Sequence, residues 1–361
     1  MNPPALNFQN GYKYSKTKLS VNFNLFDLHD SKKDDNLRKC LRVYGVLNQY
    51  VDRPKEEMVE AYKQAIWLNK RLARINTKLK KEIGLEWKKK WVEIIPYKIS
   101  QSAVKDWFCG RSSLPLIAIE KLKVLGCEDE VREIIQNVKY ISSTTRDITK
   151  IPNVLISDVA YLSGLILGDG CLPNDYCIKD NNYGYRVSIF GGNKSFFEEE
   201  IVPIMTRLFE TKNVRLYYDK TCWRIEKQNK AMFRFFTKII ELHSGKKAIN
   251  ARIPKIIFNS SKEIKVAFLV GLIDSDIGKH GGSLGCTFRS EKFVEDLVFL
   301  LSQIGVVSRK RGTYIIKEKY PQTDFYIPKR EVKALKDILY QNYLPKSKAR
   351  LETINSIAGF R

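Results

Sequence analysis

Histidine is almost missing from this chain: His29, His243 and His280 are the three it has, and none stands near another. That excludes a histidine-rich metal centre and a nuclease centre of the His-Asn-His type. The seven cysteines, Cys40, Cys109, Cys127, Cys171, Cys177, Cys222 and Cys286, are odd in number and never spaced C-x-x-C. A disulfide scaffold and a structural zinc site are therefore excluded, and a reducing, cytoplasmic location is expected. Long apolar runs are missing too. The run near the middle, Val266 to Ile273, is far short of the ~20 residues needed to cross a bilayer. No membrane partner is expected, and Met1-Asn2-Pro3-Pro4 lacks the layout of a signal peptide. No G-x-x-x-x-G-K-[ST] loop is present, which argues against an NTPase. Acidic charge is in deficit: 40 Asp and Glu stand against 63 Lys and Arg, a net charge of +23.

What is present suffices for real cores. Hydrophobic residues make up 43% of the 361 and aromatics 11%, enough for two or three domains. A basic surplus of this size on a chain with cores points to a polyanionic partner, above all nucleic acid.

Residues 1–150 read as a mainly helical domain. Residues 1–50 are polar and ambiguous. Glu56 to Ile83 reads as one long helix, with Val59, Tyr62, Ile66, Leu72, Ile75, Leu79 and Ile83 three or four apart and Gly84 as its stop. Its other face carries Lys70, Arg71, Arg74, Lys78 and Lys81, either a nucleic-acid contact or an ordinary solvated face. Farther on, Ser100 can cap a short helix that turns Val104 and Trp107/Phe108 inward and stops at Gly110; Pro115 opens the next helix. Helix, glycine turn, helix is the spacing of a helix-turn-helix, and this run of about 25 residues resembles the recognition segment of such proteins. On that reading Gln101, Ser102, Lys105 and Arg111 reach DNA. Residues 140–153 lack periodicity and are rich in hydroxyls, so the domain boundary is placed there.

The rest of the chain, 151–361, contains an internal repeat. Leu162-Ser163-Gly164-Leu165-Ile166-Leu167-Gly168-Asp169-Gly170 recurs as Leu269-Val270-Gly271-Leu272-Ile273-Asp274-Ser275-Asp276-Ile277, with the terminal aspartates 107 residues apart (169 to 276). The sequels repeat as well. Strand-like residues 185–190, a helix over 194–209, strands at 214–218 and 222–226 and a helix near 229–242 follow the first copy. Residues 286–288, a helix over 291–304, strands at 312–317 and 324–328 and a helix near 331–343 follow the second. Each half reads αββαββα, with repeat one over 151–250 and repeat two over 251–345. The fold class is α+β, duplicated about a pseudo-two-fold axis.

Each motif is an apolar helix with small residues four apart, Gly164 and Gly168, Gly271 and Ser275. Small residues on one face let two backbones come close. Two such helices packed together bring two aspartates to their negative ends, where each raises the pKa of the other unless a cation neutralises them. A hard divalent cation, Mg²⁺ above all, fits a few carboxylate and carbonyl oxygens plus water, and carboxylates with Mg²⁺ suit phosphodiester hydrolysis.

The doubled motif, with the Ile253-Pro254-x-x-Ile257 to Phe268-Leu269-x-Gly271 lead-in, resembles the LAGLIDADG (dodecapeptide, DOD-type) homing endonucleases in their single-chain form, over about residues 151–345. The resemblance implies a monomer that cuts both strands of an asymmetric double-stranded DNA site across the minor groove, leaving 3′ overhangs. It implies two saddle-shaped antiparallel sheets in the major groove. It implies Asp169 and Asp276 as metal-binding, catalytic carboxylates, the carbonyls of Gly168 and Ser275 as supporting ligands, and Lys227 and Lys329 as the basic pair. DNA contacts fall on Lys179, Arg186, Arg215, Tyr217 and Arg224 in the first half and on Arg289, Lys310, Arg311, Lys317 and Tyr326 in the second; without strand register, base and phosphate contacts stay unsorted.

Two positions depart from the pattern. Ile277 replaces the last glycine of motif two, with Gly278 one residue later, and Leu167 replaces the first acid of motif one. His280-Gly281-Gly282 reads as a turn. Neither a nucleophile at position 1 nor a His-Asn pair at the C-terminus is present, so self-splicing is not expected, and a free-standing or intron-encoded enzyme fits better. The alternatives are a DNA-binding regulator that kept the scaffold without catalysis, and a maturase with its host intron RNA as partner.

Overall fold

The structure, a computed structural model, describes residues 23–30, 40–47, 58–143, 148–177, 182–211, 213–245, 247–316 and 320–359. The expected DNA contacts Lys179 and Lys317 lie outside the described residues.

In the first part of the chain, α1 (Val59–Glu82) ends where Gly84 takes φ +95°, a left-handed turn open to glycine. Its buried side is Ala61, Gln64, Ala65, Leu68, Leu72, Ile75 and Leu79, while Ile66 is exposed. The expected stripe is therefore correct in the second half of the helix and rotated in the first. Gln64 is the reason. Its amide donates to the carbonyls of Tyr44 and Tyr140 at 3.0 Å, and its oxygen accepts from the N–H groups of Lys139 and Tyr140 at 2.7 and 2.8 Å. A buried side chain that satisfies this many backbone groups sets the phase of the helix against apolar periodicity. On the basic face, Arg71 pairs with Glu133 and Lys78 with Glu130, whereas Lys70, Arg74 and Lys81 stay exposed.

Next come α2 (Trp87–Ile94), α3 (Gln101–Phe108), α4 (Leu116–Lys121) and α5 (Glu128–Asn137). Ser100 caps α3 as its position predicts, accepting from the Ala103 N–H at 3.2 Å, and Val104 and Trp107 point inward. Trp91 stacks on Trp87, meets Trp107 edge-on, and donates its indole N–H to Ala118 at 2.9 Å. A four-stranded sheet joins these helices: β1 (Arg42–Val43), β2 (Leu114–Pro115), β3 (Tyr140–Ser142) and β4 (Ile148–Lys150), in the order β2-β1-β3-β4. The aperiodic stretch 140–153 thus supplies two strands; strands of two or three residues are too short to show a period of two. One hydrophobic core runs from Trp87 through Ile141 to Phe325. Arg234 donates to the Leu28 carbonyl at 2.8 Å, and Asn229 to Thr149 at 2.6 Å, so both parts of the chain are bolted across this junction.

The duplicated part begins with α6 (Ser157–Asp169), followed by β5 (Gly170–Cys171), β6 (Asn174–Cys177) and β7 (Asn182–Gly191). Then α7 (Lys194–Phe196) passes through a π turn (Phe197–Ile201) into α8 (Val202–Phe209). β8 (Arg215–Asp219), β9 (Cys222–Gln228) and α9 (Lys230–Arg234), with a second π turn (Phe235–Ile239), complete repeat one. Repeat two holds α10 (Lys255–Phe258), α11 (Lys262–Ser275), β10 (Gly278–His280), β11 (Ser283–Phe288), α12 (Glu291–Ile304), β12 (Arg309–Ile316), β13 (Tyr320–Ile327) and α13 (Lys329–Asn342). A further helix, α14 (Lys348–Ala358), lies beyond the expected end of the repeat.

Both sheets are antiparallel and share one strand order, β5-β7-β9-β8 and β10-β11-β13-β12, with β6 added on β7 in the first. This is the duplication read from the motif. At its centre α6 and α11 are buried on nearly all sides, as helices apolar all round must be. They touch backbone to backbone. A β-carbon on Gly164 would overlap the Phe268 carbonyl oxygen, and one on Gly271 would overlap the Tyr161 carbonyl oxygen.

Candidate active site and nucleic-acid interface

The close approach of α6 and α11 decides where the two motif aspartates go. At the far end of the pair, a β-carbon on Gly168 would stand 3.2 Å from Oδ2 of Asp276 and would overlap Ser275 Oγ. Asp169 is the last residue of α6 and Asp276 caps α11, so both carboxylates sit at negative helix ends. Burial pushes the Asp169 carboxyl above its ordinary range. Burial first, and then the charge of Asp169, hold Asp276 up at about 6. The structure brings these two expected residues together. Ile277 does not splay them: it is fully buried, its N–H bonds to the Leu272 carbonyl at 3.0 Å, and Gly278 then opens β10. The extra residue fills core.

Two cations answer the carboxylates, and sequence reasoning missed both. Lys247 Nζ donates to the carbonyls of Ile166 at 2.9 Å and Leu167 at 2.7 Å, and also to that of Gly168. Arg350 Nη2 donates to the Ser275 carbonyl at 2.5 Å. Lys247 caps α6 and Arg350 caps α11, where orphan carbonyls and the helix dipole favour positive charge. Each lies eight residues past the last helical residue of its repeat (239 to 247, 342 to 350). Both pull the pKa values of Asp169 and Asp276 downward. Burial in turn lowers the Lys247 ammonium to about 8, with the carboxylates of Asp276 and Asp169 opposing the drop.

The expected basic pair is placed by register and helix position. Lys227 stands on β9 opposite Val187, on the side of the sheet that carries buried Ile225 and Ile189, and Lys329 opens α13 at the surface. Register before the last helix suggested those lysines; the cations set against the carboxylates come from the segments after it. The expected carbonyl ligands, Gly168 and Ser275, are the ones that Lys247 and Arg350 already hold.

The donor set suits a hard divalent cation. Among the described residues no cluster of three or more His, Cys, Asp or Glu forms a closed cage. Two half-buried carboxylates flanked by carbonyl oxygens fit an ion that keeps several waters, as Mg²⁺ does. With Lys247 and Arg350 present, the two carboxylates are already balanced in charge, two against two. Manganese titrated into metal-free protein should therefore bind weakly, and Lys247→Met should tighten it about tenfold by removing one competing charge. Electron paramagnetic resonance of free Mn²⁺ reads this directly. Equal affinity in both proteins would show that the lysine charge does not reach the carboxylates.

Strand register sorts the expected DNA contacts. In repeat one, Arg186 lies opposite Gln228, Arg224 opposite Phe190 and Tyr217, and Arg215 opposite Glu226. Directly opposed residues share a face, and the intervening Val187, Ile189 and Ile225 are buried. Arg186, Arg215, Tyr217 and Arg224 therefore stand together on the face away from the core, with Ser188, Phe190, Glu226 and Gln228. Arg224 is tied down there: it bonds Asp219 at 3.2 Å, Ser188 at 3.2 Å and Glu226, and lies over the rings of Phe190 and Tyr217.

In repeat two, Tyr326 lies opposite Gly285 and Arg309, and Arg311, in the bulge of β12, stacks over Tyr326. Arg289 is exposed just past β11. Lys310 is a correction. It pairs with buried Phe325, and its ammonium bridges Glu291 and Glu295 of α12 at 2.6 and 2.7 Å. It thus faces the helices. Arg309, Tyr314 and Asp324 take places on the open face that sequence reasoning missed. Alternation with buried neighbours was the available signal. In the first part of the chain, Gln101, Ser102 and Lys105 are exposed on α3, and Arg111 follows it, 3.7 Å from Asp106.

The chain matches no protein-family profile. It is 25% identical over 188 residues to "Probable translation initiation factor IF-2" of Methanocaldococcus jannaschii, half of this chain but 15% of that protein. It is 25% identical over 238 residues to a DNA polymerase of Thermococcus hydrothermalis, 63% of this chain and 13% of that one. This chain therefore spans a small fraction of those proteins' length. Among solved structures, the homing endonuclease I-DmoI in complex with DNA and Ca is 20% identical, covering 54% of this chain and 96% of that one, with a TM-score of 0.44. The N-terminal LAGLIDADG domain of DUF199/WhiA is 10% identical, covering 51% and 82%, with a TM-score of 0.33. Two abutting motif helices, each ending in an aspartate and each followed by an antiparallel sheet of the same strand order, form the duplicated α+β architecture that the LAGLIDADG resemblance implies.

Proposed function

We propose that the chain is a sequence-specific, double-strand DNA endonuclease that hydrolyses phosphodiester bonds with a divalent cation of the magnesium class. The observation that carries this reading is the meeting of Asp169 and Asp276, one from each repeat, at the adjoining ends of α6 and α11. A carboxylate held up at about 6 in a basic chain is costly unless it binds something. Asp169 and Asp276 would hold the cation, which supplies positive charge to the scissile phosphate and acidifies a water. Lys247 and Arg350 fix the helix ends that carry the aspartates, and they add positive charge where the pentavalent phosphate becomes more negative. The open faces of the two sheets take the duplex, through Arg186, Arg215 and Tyr217 on one side and Arg289, Arg309 and Arg311 on the other. The α3 surface with Gln101, Ser102, Lys105 and Arg111 supplies a second contact outside the sheets.

The non-catalytic alternative draws on Ile277 and on the extra N-terminal domain; the burial of Ile277 in the core speaks against the first of these. The test is a randomised plasmid library incubated with Mg²⁺ or with EDTA. Linear product from a subset of plasmids with Mg²⁺ alone is the expected result; an uncut library would refute the reading. Duplex affinity should fall on the order of 10³-fold between 50 and 200 mM salt if six or more phosphates are contacted.

A further inference from the structure

The C-terminal helix α14 lies outside the duplicated αββαββα unit, yet it reaches the site. Its first turn grips the end of α11 at two adjacent residues. Asp274, buried, accepts from the backbone N–H of Lys346 at 2.8 Å and of Ser347 at 3.3 Å, immediately before α14. Arg350, in that first turn, donates to the carbonyl of Ser275, the residue after Asp274. Ser347 is the N-cap of α14 but makes no side-chain capping bond of its own, so Asp274 is what holds this entry. Asp274 is held from its other side by repeat one, accepting from Tyr161 Oη at 2.9 Å. The Lys346 ammonium lies over the rings of Tyr161 and Tyr343. The same position in motif one is Leu167, and Lys247 arrives there from outside any helix. The anchor therefore belongs to repeat two alone.

We propose that Asp274 is a positioning residue: by tethering the start of α14 to α11, it sets the Arg350 guanidinium against the Ser275 carbonyl and beside Asp276. The first acid of motif two thereby acts on the reaction through Arg350, without touching substrate or cation. Gly278 belongs to the same device, because a β-carbon there would overlap Arg350 Nη1. The guanidinium, as the far end of a flexible side chain, would give way, while the rest of the fold stays.

This inference rests on the nuclease reading, and the test separates the two. Wild-type protein first selects a cleavable duplex from the randomised library; if none is cut, the nuclease reading fails, and with it the reaction on which Asp274 would act. On the selected duplex, single-turnover cleavage is measured in Mg²⁺ and duplex binding in EDTA. Arg350→Met and Gly278→Ala should each slow cleavage about 10²-fold with duplex affinity within about twofold, the scale expected for losing one positioned donor. Asp274→Asn should slow it about tenfold, and Asp274→Asn combined with Arg350→Met should be no slower than Arg350→Met alone, since both act through one group. Arg350→Lys, which keeps a cationic donor, should recover most of the rate. Multiplying effects in the double variant, or wild-type cleavage by Asp274→Asn, would overturn the proposal. Should Asp274→Asn not fold, Gly278→Ala, which leaves Asp274 in place, decides it: full activity there removes any role for the placement of Arg350.

Discussion

Alanine at Gly271 should lower stability by about 3 kcal/mol, and the melting temperature by about 5–10 °C, at a cost of one methyl group. The added carbon has nowhere to go. It would overlap the Tyr161 carbonyl oxygen and lie 2.6 Å from the Leu165 backbone nitrogen, both on the facing helix. Side chains can swing away from an intruding methyl; the backbone of α6 cannot, so the helices must part. Gly164→Ala drives the same separation from the other side, against the Phe268 carbonyl. The two substitutions should not add, because the first already opens the contact that the second needs. Gly192→Ala is the control: nothing lies within 4 Å of its β-carbon position, and its stability should be unchanged. Circular dichroism melts of the wild type, the three single variants and the Gly164→Ala, Gly271→Ala double variant measure this. A melting temperature for Gly271→Ala within a degree of wild type would mean that the helices do not touch in solution. The loss also reaches function, since parting the helices separates Asp169 from Asp276.

That helix pair was the most legible part of the sequence, because chemistry and packing demand the same residues. Small residues four apart and a terminal acid, written twice, leave little else for two apolar helices to do. Helix α12 was legible to the residue, since Ser290 caps it and Gly305 at φ +88° ends it. Other features were hidden for physical reasons. Gln64 looks like a surface residue in any hydrophobic pattern, but its four backbone hydrogen bonds pull α1 around its axis. Lys310 and Arg311 are neighbours of identical charge, yet the bulge in β12 turns one toward the acids of α12 and the other toward Tyr326. Lys247 and Arg350 sit on no shared motif. What they have in common is their distance from the end of each repeat, a regularity that becomes visible once the helix ends are known. Helix α14 was missed for a related reason: with Ile354 and Ile357 as its buried residues, it carries too thin a stripe to stand out.

Asn at position 276 should abolish cleavage, by about 10³-fold or more, and yet make the metal-free protein more stable at neutral pH. The two effects have one cause. Burial and the neighbouring charge of Asp169 hold the Asp276 carboxyl at about 6, against 3.8 ordinarily. A carboxyl raised in the folded state binds its proton more tightly there than in the unfolded chain. Its contribution to stability is full below about pH 4 and is lost as pH rises through 6. At pH 7.5 the ionised, desolvated carboxylate is therefore a liability of about 2 kcal/mol, after allowance for its partial exposure. Asn keeps the shape and removes the charge. The melting temperature of Asp276→Asn should exceed that of wild type by about 2–5 °C at pH 7.5 and match it near pH 4. Divalent cation added to wild type should close the gap at pH 7.5, since the ion replaces the lost proton. Cleavage by wild type should rise about tenfold per pH unit up to about 6 and then level, because the proton and the cation compete for one carboxylate. Melts across pH, with and without Mn²⁺, test the whole scheme. An Asn variant less stable than wild type at pH 7.5 would mean that Asp276 is solvated or fully paired in the free protein. The strain that makes this site ready for a cation would then not exist.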